Sequence, residues 1–134
     1  TGGCLCGGVR FEVAAPLVSA LYCHCTRCQR RSGCGASPNA VPERGSVHVT
    51  GRELLTAYRP QPRGFTKLFC QVCGSHLFSH NPDDPEDMSI RFGAFDGDPG
   101  IRPQRRQWTS SAAVWEPLPD DGLPRFPESS RGKI

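Results

Sequence analysis

The sequence lacks long apolar runs: no segment approaches the roughly 18 residues that a membrane-spanning helix requires. It has only two lysines among its 16 basic residues, and the arginines are scattered rather than arranged as a stripe with interleaved aromatic residues. Such a stripe is typical of nucleic-acid binding. No internal repeat or low-complexity segment is present. We therefore expect neither a membrane nor a nucleic acid among the partners.

The chain has the length of one domain, with 134 residues, and it is rich in turn formers, with 15 glycines and 13 prolines. We predict a single domain over residues 1–134 whose last part, residues 117–134, is an irregular tail. No apolar stretch of a secretory signal is present, so we expect a cytoplasmic protein. Because the chain begins at Thr1 rather than at Met, we expect its natural N-terminus to lie upstream. Nothing in the composition specifies an oligomeric state.

Short segments rich in branched or aromatic residues, mostly bounded by Gly, Pro or Asp, predict β-strands. The predicted strands are Val9–Val13, Ser19–Cys23, Ser46–Thr50, Glu53–Tyr58, Thr66–Cys70, His76–His80 and Met88–Phe92. One segment, Thr26–Ser32, is free of Gly and Pro, with Thr26 as a possible N-cap and Gly33 placed to end a helix. The pattern predicts an all-β fold with one short helix.

Eight cysteines stand out in so short a chain, and seven of them form short hooks. The hooks are Cys4-Leu-Cys6, Cys23-His-Cys25-Thr-Arg-Cys28 and Cys70-Gln-Val-Cys73. Close spacing of this kind favours zinc, because a tetrahedral site needs about four ligands and two hooks from distant segments supply them. Disulfide frameworks spread their cysteines more widely and form in oxidising compartments. We therefore interpret the hooks as zinc ligands.

Seven hook cysteines do not divide into two sets of four. Cys4, Cys6, Cys70 and Cys73 make one closed site from two hooks of two, which leaves Cys23, Cys25 and Cys28 as a second set of three. Three protein ligands with an open fourth position are typical of a reactive zinc site, whereas a saturated site is structural. Two alternatives stay open: Cys34 or a histidine closes the second site, or the three cysteines hold no metal. For Cys34 itself we expect burial as an apolar residue.

These motifs resemble the glutathione-dependent formaldehyde-activating (Gfa-like) family, which also includes the centromere protein V type of domain. The matching stretches are GGCLCGGVRFEV (Gly2–Val13), YCHCTRCQRRSG (Tyr22–Gly33), FCQVCGSHLF (Phe69–Phe78), FGAFDGDP (Phe92–Pro99) and LPRFPES (Leu123–Ser129). The resemblance covers nearly the whole chain, and the cysteine hooks in this order are its most specific part.

The resemblance implies a β-tent fold of several small antiparallel sheets stapled by zinc. It implies a structural zinc on the four-cysteine set and a catalytic zinc on Cys23, Cys25 and Cys28. The activity it implies is carbon-sulfur lyase chemistry, in which a thiol, glutathione, adds reversibly to formaldehyde or a similar small aldehyde. Because glutathione carries two carboxylates, Arg27, Arg30 and Arg31 are the candidate substrate-binding residues. The alternative function is a non-catalytic zinc module that binds glutathione or a protein partner.

Overall fold

The computed structural model describes residues 1–131, and short β-strands dominate it. These residues form ten strands: β1 (Gly2–Gly3), β2 (Arg10–Val13), β3 (Ser19–Cys23), β4 (Ser37–Val41), β5 (Val47–Thr50), β6 (Leu55–Tyr58), β7 (Thr66–Cys70), β8 (His76–Asn81), β9 (Asp84–Arg91) and β10 (Arg106–Gln107). They also contain one α-helix, α1 (Thr26–Ser32), and 3-10 turns at Arg52–Leu54, Phe92–Ala94 and Thr109–Ser111. The predicted all-β class with one short helix is confirmed. None of these helices has the length and apolar character that crossing a membrane would require.

The strands form two sheets. The smaller has the order β1-β2-β5 and is antiparallel, and the larger has the order β10-β3-β4-β9-β8-β7-β6. Within the larger sheet only the β10–β3 pair is parallel among the pairings described, with Arg106 opposite Tyr22. The larger sheet therefore joins strands that span residues 19 to 107 into one continuous surface.

A phenylalanine cluster packs the two sheets together. Phe11 of β2 is 2% exposed, and its ring lies 5.4 Å from the rings of both Phe78 and Phe95 in edge-to-face arrangements. The buried core around it includes the metal-ligand candidates Cys4 and Cys70. The core and one cysteine cluster are thus a single packed unit.

Most of the predicted strands are present, with shifts at their ends. The segment predicted as one strand over Glu53–Tyr58 begins instead with a 3-10 turn, and the strand covers only Leu55–Tyr58. Strand β9 starts four residues before the predicted Met88 because a tight turn joins it to β8. Strand β4 was missed altogether, since its sequence, SPNAV, contains the residues that favour turns.

Helix α1 has the predicted bounds, but its N-cap is Cys25 rather than Thr26. The Cys25 backbone is extended, and its sulfur accepts a hydrogen bond from the Cys28 N–H at 3.3 Å. Gly33 ends the helix in the left-handed conformation, with φ of 73°, as expected. The side chain of Cys25 therefore caps the helix by accepting from the backbone of Cys28, and both residues are metal-ligand candidates.

The C-terminal segment runs without a helix or strand from residue 112 to residue 131, which leaves the single-domain boundaries and the tail as predictions. It is nevertheless tied to β10. Arg106 donates its N–H to the Pro124 carbonyl, Phe126 donates to the Arg106 carbonyl, and Trp108 donates to the Glu128 carbonyl. Residues 132–134 of the predicted tail lie outside the described residues.

Gly51 directly follows β5 and packs against Gly8, which lies in the loop between β1 and β2. Its φ is 78°, and a Cβ there would lie 2.0 Å from the Gly8 carbonyl oxygen. We expect Gly51→Ala to destabilise the protein by about 2 kcal/mol or more, because left-handed backbone alone costs about 1–2 kcal/mol for alanine. Gly100→Ala is the control, since Gly100 has φ of 81° but no atom within 4 Å of its Cβ position. Equal losses of unfolding free energy in urea for both variants would contradict the close approach.

Candidate metal and substrate site

The first cysteine cluster consists of Cys4, Cys6, Cys70 and Cys73. Their four sulfur atoms all lie within 4.8 Å of one another. The Cys4 and Cys6 sulfurs are 3.5 Å apart, and the Cys6 and Cys70 sulfurs are 3.8 Å apart. Tetrahedral coordination with metal–sulfur distances near 2.3 Å puts ligand sulfurs roughly 3.8 Å from one another. This four-cysteine cluster therefore fits a zinc ion.

Two turns hold the cluster in place. Cys70 ends β7, and the turn after it is closed by a hydrogen bond from the Gly74 N–H to the Cys70 carbonyl. Ser75 connects this turn to the N-terminal hook, because its hydroxyl accepts from the Leu5 N–H at 2.9 Å and lies 3.2 Å from the Cys73 sulfur. The hydrogen bond with Ser75 also lowers the pKa of Cys73 to about 5, which favours the thiolate that a metal needs. Sequence reasoning missed Ser75, although it lies only two residues after Cys73, the end of the third hook.

Cys23, Cys25 and Cys28 form a second cluster, again with all sulfurs within 4.8 Å of one another. Cys23 is the last residue of β3 and is buried, whereas Cys25 and Cys28 are partly exposed. The described residues add no fourth ligand to this group. The division of the seven cysteines into four and three is thus the one that their spacing indicates.

The three closely spaced thiols of this cluster shift one another's pKa values. Hydrogen bonds from the Cys23 and Cys28 thiols hold the pKa of Cys25 well below its usual range. Hydrogen bonding with Cys23 and then with Cys25 raises the pKa of Cys28, and the contact with Cys25 raises the pKa of Cys23. One thiolate stabilised by two thiols is therefore favoured, and a bound divalent cation would be needed for all three to ionise.

The three-cysteine cluster lies on the wall of a cavity of about 640 Å³. The cavity is bordered by one face of β3, β4, β9, β8 and β7, by the start of α1, and by the C-terminal residues Ser129, Ser130 and Arg131. A cavity of this size is in the range that holds small molecules. None of the residues of the four-cysteine cluster lines it.

The three candidate arginines of α1 have different surroundings. Arg27 lines the cavity, and its guanidinium donates to the Arg63 carbonyl at 2.6 Å and the Gln61 carbonyl at 3.4 Å. Arg30 is exposed and does not line the cavity, and Arg31 places its guanidinium 5.9 Å from the Phe69 ring. Their role in substrate binding stays a prediction.

Neither Cys34 nor a histidine completes the three-cysteine group. Cys34 is exposed, so the expectation that it is buried was wrong: it follows the left-handed Gly33, which turns the chain out toward solvent. His24 lies inside the hook but points away from the cavity, accepting a hydrogen bond from Arg106 Nη1 at 3.1 Å. Burial, with the nearby Arg106 charge, lowers the pKa of His24 and keeps it neutral.

The cavity also contains basic residues that sequence reasoning missed. Lys67 of β7, Arg91 of β9 and Arg105 line it, although they are distant from the cysteine hooks in sequence. Gln29, next to Cys28, does not line the cavity. Its side-chain amide donates to the His24 and Ser111 carbonyls, both at 2.8 Å, and so fixes the helix against the wall. That these basic residues meet at one cavity follows from the order of the strands in the sheet, which the sequence alone does not show.

The fold and the two clusters define a small β protein with a closed four-cysteine site and an incomplete three-cysteine site beside a cavity. A sequence model of the glutathione-dependent formaldehyde-activating enzyme family matches residues 1–111, and the chain belongs to that family. The predicted family and its β-rich, cysteine-stapled fold are therefore confirmed.

Two individual proteins are similar to the chain. A protein from Halomonas elongata, provisionally named a glutathione-dependent formaldehyde-activating enzyme, is 31% identical over 110 residues, which are 78% of this chain and 70% of that protein. A crystal structure of a Rhodobacter sphaeroides protein has a TM-score of 0.55 and 28% identity, covering 72% of this chain and 88% of that one. These likenesses support an enzymatic family, with glutathione and formaldehyde in the relative's name.

We expect Cys4→Ser or Cys73→Ser to prevent stable folding. Structural zinc contributes on the order of 10 kcal/mol to small domains, which is comparable to the whole stability of a domain. Thermal unfolding followed by circular dichroism should lose its cooperative transition. Cys34→Ser is the matched control, because Cys34 is exposed and belongs to neither cluster. A transition temperature equal to that of the parent in both cluster variants would refute the structural role.

Proposed function

We propose that the protein is a zinc-dependent carbon–sulfur lyase, which adds a thiol, glutathione in the first instance, reversibly to formaldehyde or a similar small carbonyl. One observation carries this proposal: a three-cysteine group without a fourth ligand in the described residues borders a cavity of about 640 Å³. The choice of glutathione and formaldehyde is supported by the family and by the name of the Halomonas relative.

Cys4, Cys6, Cys70 and Cys73 would hold a structural zinc, and Cys23, Cys25 and Cys28 a catalytic one. Zinc at the second site would lower the pKa of a thiol at its remaining position and favour the nucleophilic thiolate. Eight unpaired cysteines suit a reducing compartment, so we place the protein in the cytoplasm.

The reaction requires no redox partner. The sulfur of the thiol bonds to the carbonyl carbon, the π bond of the carbonyl breaks, and the proton lost by sulfur is balanced by one gained on oxygen. The reverse reaction breaks the carbon–sulfur bond. The residues of the chain contribute by enclosing both reactants: Cys23 and Cys28 lie on one side of the cavity, and Arg27 at the helix start is positioned to contact an anionic substrate.

Two zinc ions of unequal lability are expected. A cluster with four protein ligands is closed, whereas one with three exchanges its remaining ligand with solvent. Zinc analysis during graded chelation should release one equivalent well before the other. A single class of zinc, or zinc-free protein with native disulfides, would contradict the assignment of the two sites.

Cys25→Ser should leave the fold largely intact and abolish catalysis. The four-cysteine cluster still joins the N-terminal hook to β7, whereas the other cluster loses the thiolate that its neighbours stabilise. We expect glutathione affinity, measured by calorimetry, to fall at least about tenfold, since even changes outside the ligand shell cost metal sites 10- to 100-fold.

Formation of the hemithioacetal from glutathione and formaldehyde is followed by NMR exchange, with Cys34→Ser as the control. The zinc-loaded parent and the control should exceed the uncatalysed rate, and Cys25→Ser should not. Glutathione binding without rate enhancement would favour the non-catalytic binding module instead. Absence of both in zinc-loaded protein would rule out the glutathione assignment.

A further inference from the structure

The cavity beside the three-cysteine cluster is strongly cationic. Six basic residues line it: Arg27, Arg63, Lys67, Arg91, Arg105 and Arg131. Asp87 is the one acidic residue in the lining, and it is already paired with Arg131 at 2.5 Å. Its charge is therefore not available to the other five.

Lys67 and Arg91 are fixed on the sheet by neutral groups. Arg91 donates to Asn39 Oδ1 and to Ser79 Oγ, both at 2.8 Å, and Lys67 Nζ lies 3.4 Å from the same Ser79 oxygen. Asn39 and Ser79 are buried, with 9% and 3% of their surfaces exposed. Both cations are thus oriented before any ligand arrives, and neither is neutralised by its hydrogen-bond partners.

Arg105 independently indicates that the cavity takes a ligand with hydrogen-bond acceptors. It is 6% exposed, and its Nε donates to Ser130 Oγ at 2.7 Å, but its buried Nη1 has no hydrogen-bond partner among the described residues. A buried guanidinium N–H is costly unless an acceptor meets it. Because Arg105 also lines the cavity, a ligand there can provide that acceptor.

No carboxylate within residues 1–131 forms an ion pair with Lys67, Arg91 or Arg105. The three-cysteine cluster borders the same cavity. Three thiolates with one divalent ion carry a net charge of −1, which offsets only one of three cations. Burial lowers the pKa of all three side chains, which reflects the cost of leaving them charged without a counter-ion.

We propose that Lys67 and Arg91, which share Ser79, form a subsite for a carboxylate of the ligand that binds beside the three-cysteine cluster, with Arg105 as a further donor on the cavity wall. A carboxylate accepts hydrogen bonds from guanidinium and ammonium groups together, and such charge-assisted bonds are the strong ones. The identification of the ligand as a thiol or its carbonyl partner rests on the proposed function. The subsite makes the protein selective for acid-bearing ligands over neutral ones of the same shape.

The first experiment uses a ligand whose sulfur is blocked. S-methylglutathione keeps both carboxylates but cannot become a thiolate, and its diethyl ester removes the negative charges. Calorimetry on the zinc-loaded protein should show about tenfold or greater preference for the acid over the ester. Lys67→Met should reduce this ratio several-fold and Lys67→Arg should largely retain it. Arg52→Met, an exposed arginine that does not line the cavity, should leave it unchanged.

A parallel titration with glyoxylate identifies which reactant carries the carboxylate, because glyoxylate bears it on the carbonyl partner. The ligand that loses affinity in Lys67→Met is the one that the subsite holds. Equal affinity of the parent for acid and ester, or no loss for either ligand in Lys67→Met, would overturn the subsite. Lower zinc content in Lys67→Met with an unchanged acid-to-ester ratio would also overturn it, since the cations would then serve only the thiolates.

Failure of the proposed function is recognised separately. If glutathione does not add to formaldehyde above the uncatalysed rate, but S-methylglutathione or glyoxylate still binds through Lys67, the lyase assignment fails and the subsite stands. If the addition is catalysed with equal efficiency for glutathione and its diester, the lyase assignment stands and the subsite fails.

Discussion

Seven cysteines are gathered into two clusters whose sulfur atoms lie within 4.8 Å of one another, and this crowding is the constraint on which the rest of the structure depends. Two thiolates about 4 Å apart repel each other by about 4 kcal/mol at an effective dielectric constant of 20. In the four-cysteine cluster the ligands come from both sheets, because Cys4 follows β1 of the small sheet and Cys70 ends β7 of the large one. An ion bound there would join the two sheets, and both Cys4 and Cys70 also belong to the buried core.

The two cysteine clusters were predictable because their information is local. Cysteines two or three residues apart must lie close in space whatever the fold, so only the pairing of hooks needed inference. Helix α1 and most strands were predictable for the same reason. Strand β4 was not, since its Ser37, Pro38 and Asn39 favour turns and are held extended only by neighbours on both sides, β3 and β9.

The cationic wall of the cavity could not be predicted, because it exists only through strand order. Lys67 lies opposite Ser79, and Arg91 lies opposite Asn39, in two different strand pairs. Proximity in sequence favoured Arg27, Arg30 and Arg31, but a helix turns successive side chains in different directions, and only Arg27 of the three lines the cavity. Arg105 and Arg106 show the same effect in extended chain: the first bonds Ser130 at the cavity, and the second contacts His24 on the other side.

The C-terminal segment contributes to the wall of the cavity but to neither cysteine cluster. All seven hook cysteines lie within residues 1–111, the part that the family shares, whereas Ser129, Ser130 and Arg131 of the cavity wall lie beyond it. The segment is attached to β10 partly by backbone hydrogen bonds, which are indifferent to side-chain identity, and partly by side chains such as the buried Ser130. This part of the cavity wall can therefore change without any change in the hook cysteines, so that relatives with the same cysteine clusters can differ in the molecules that their cavities admit.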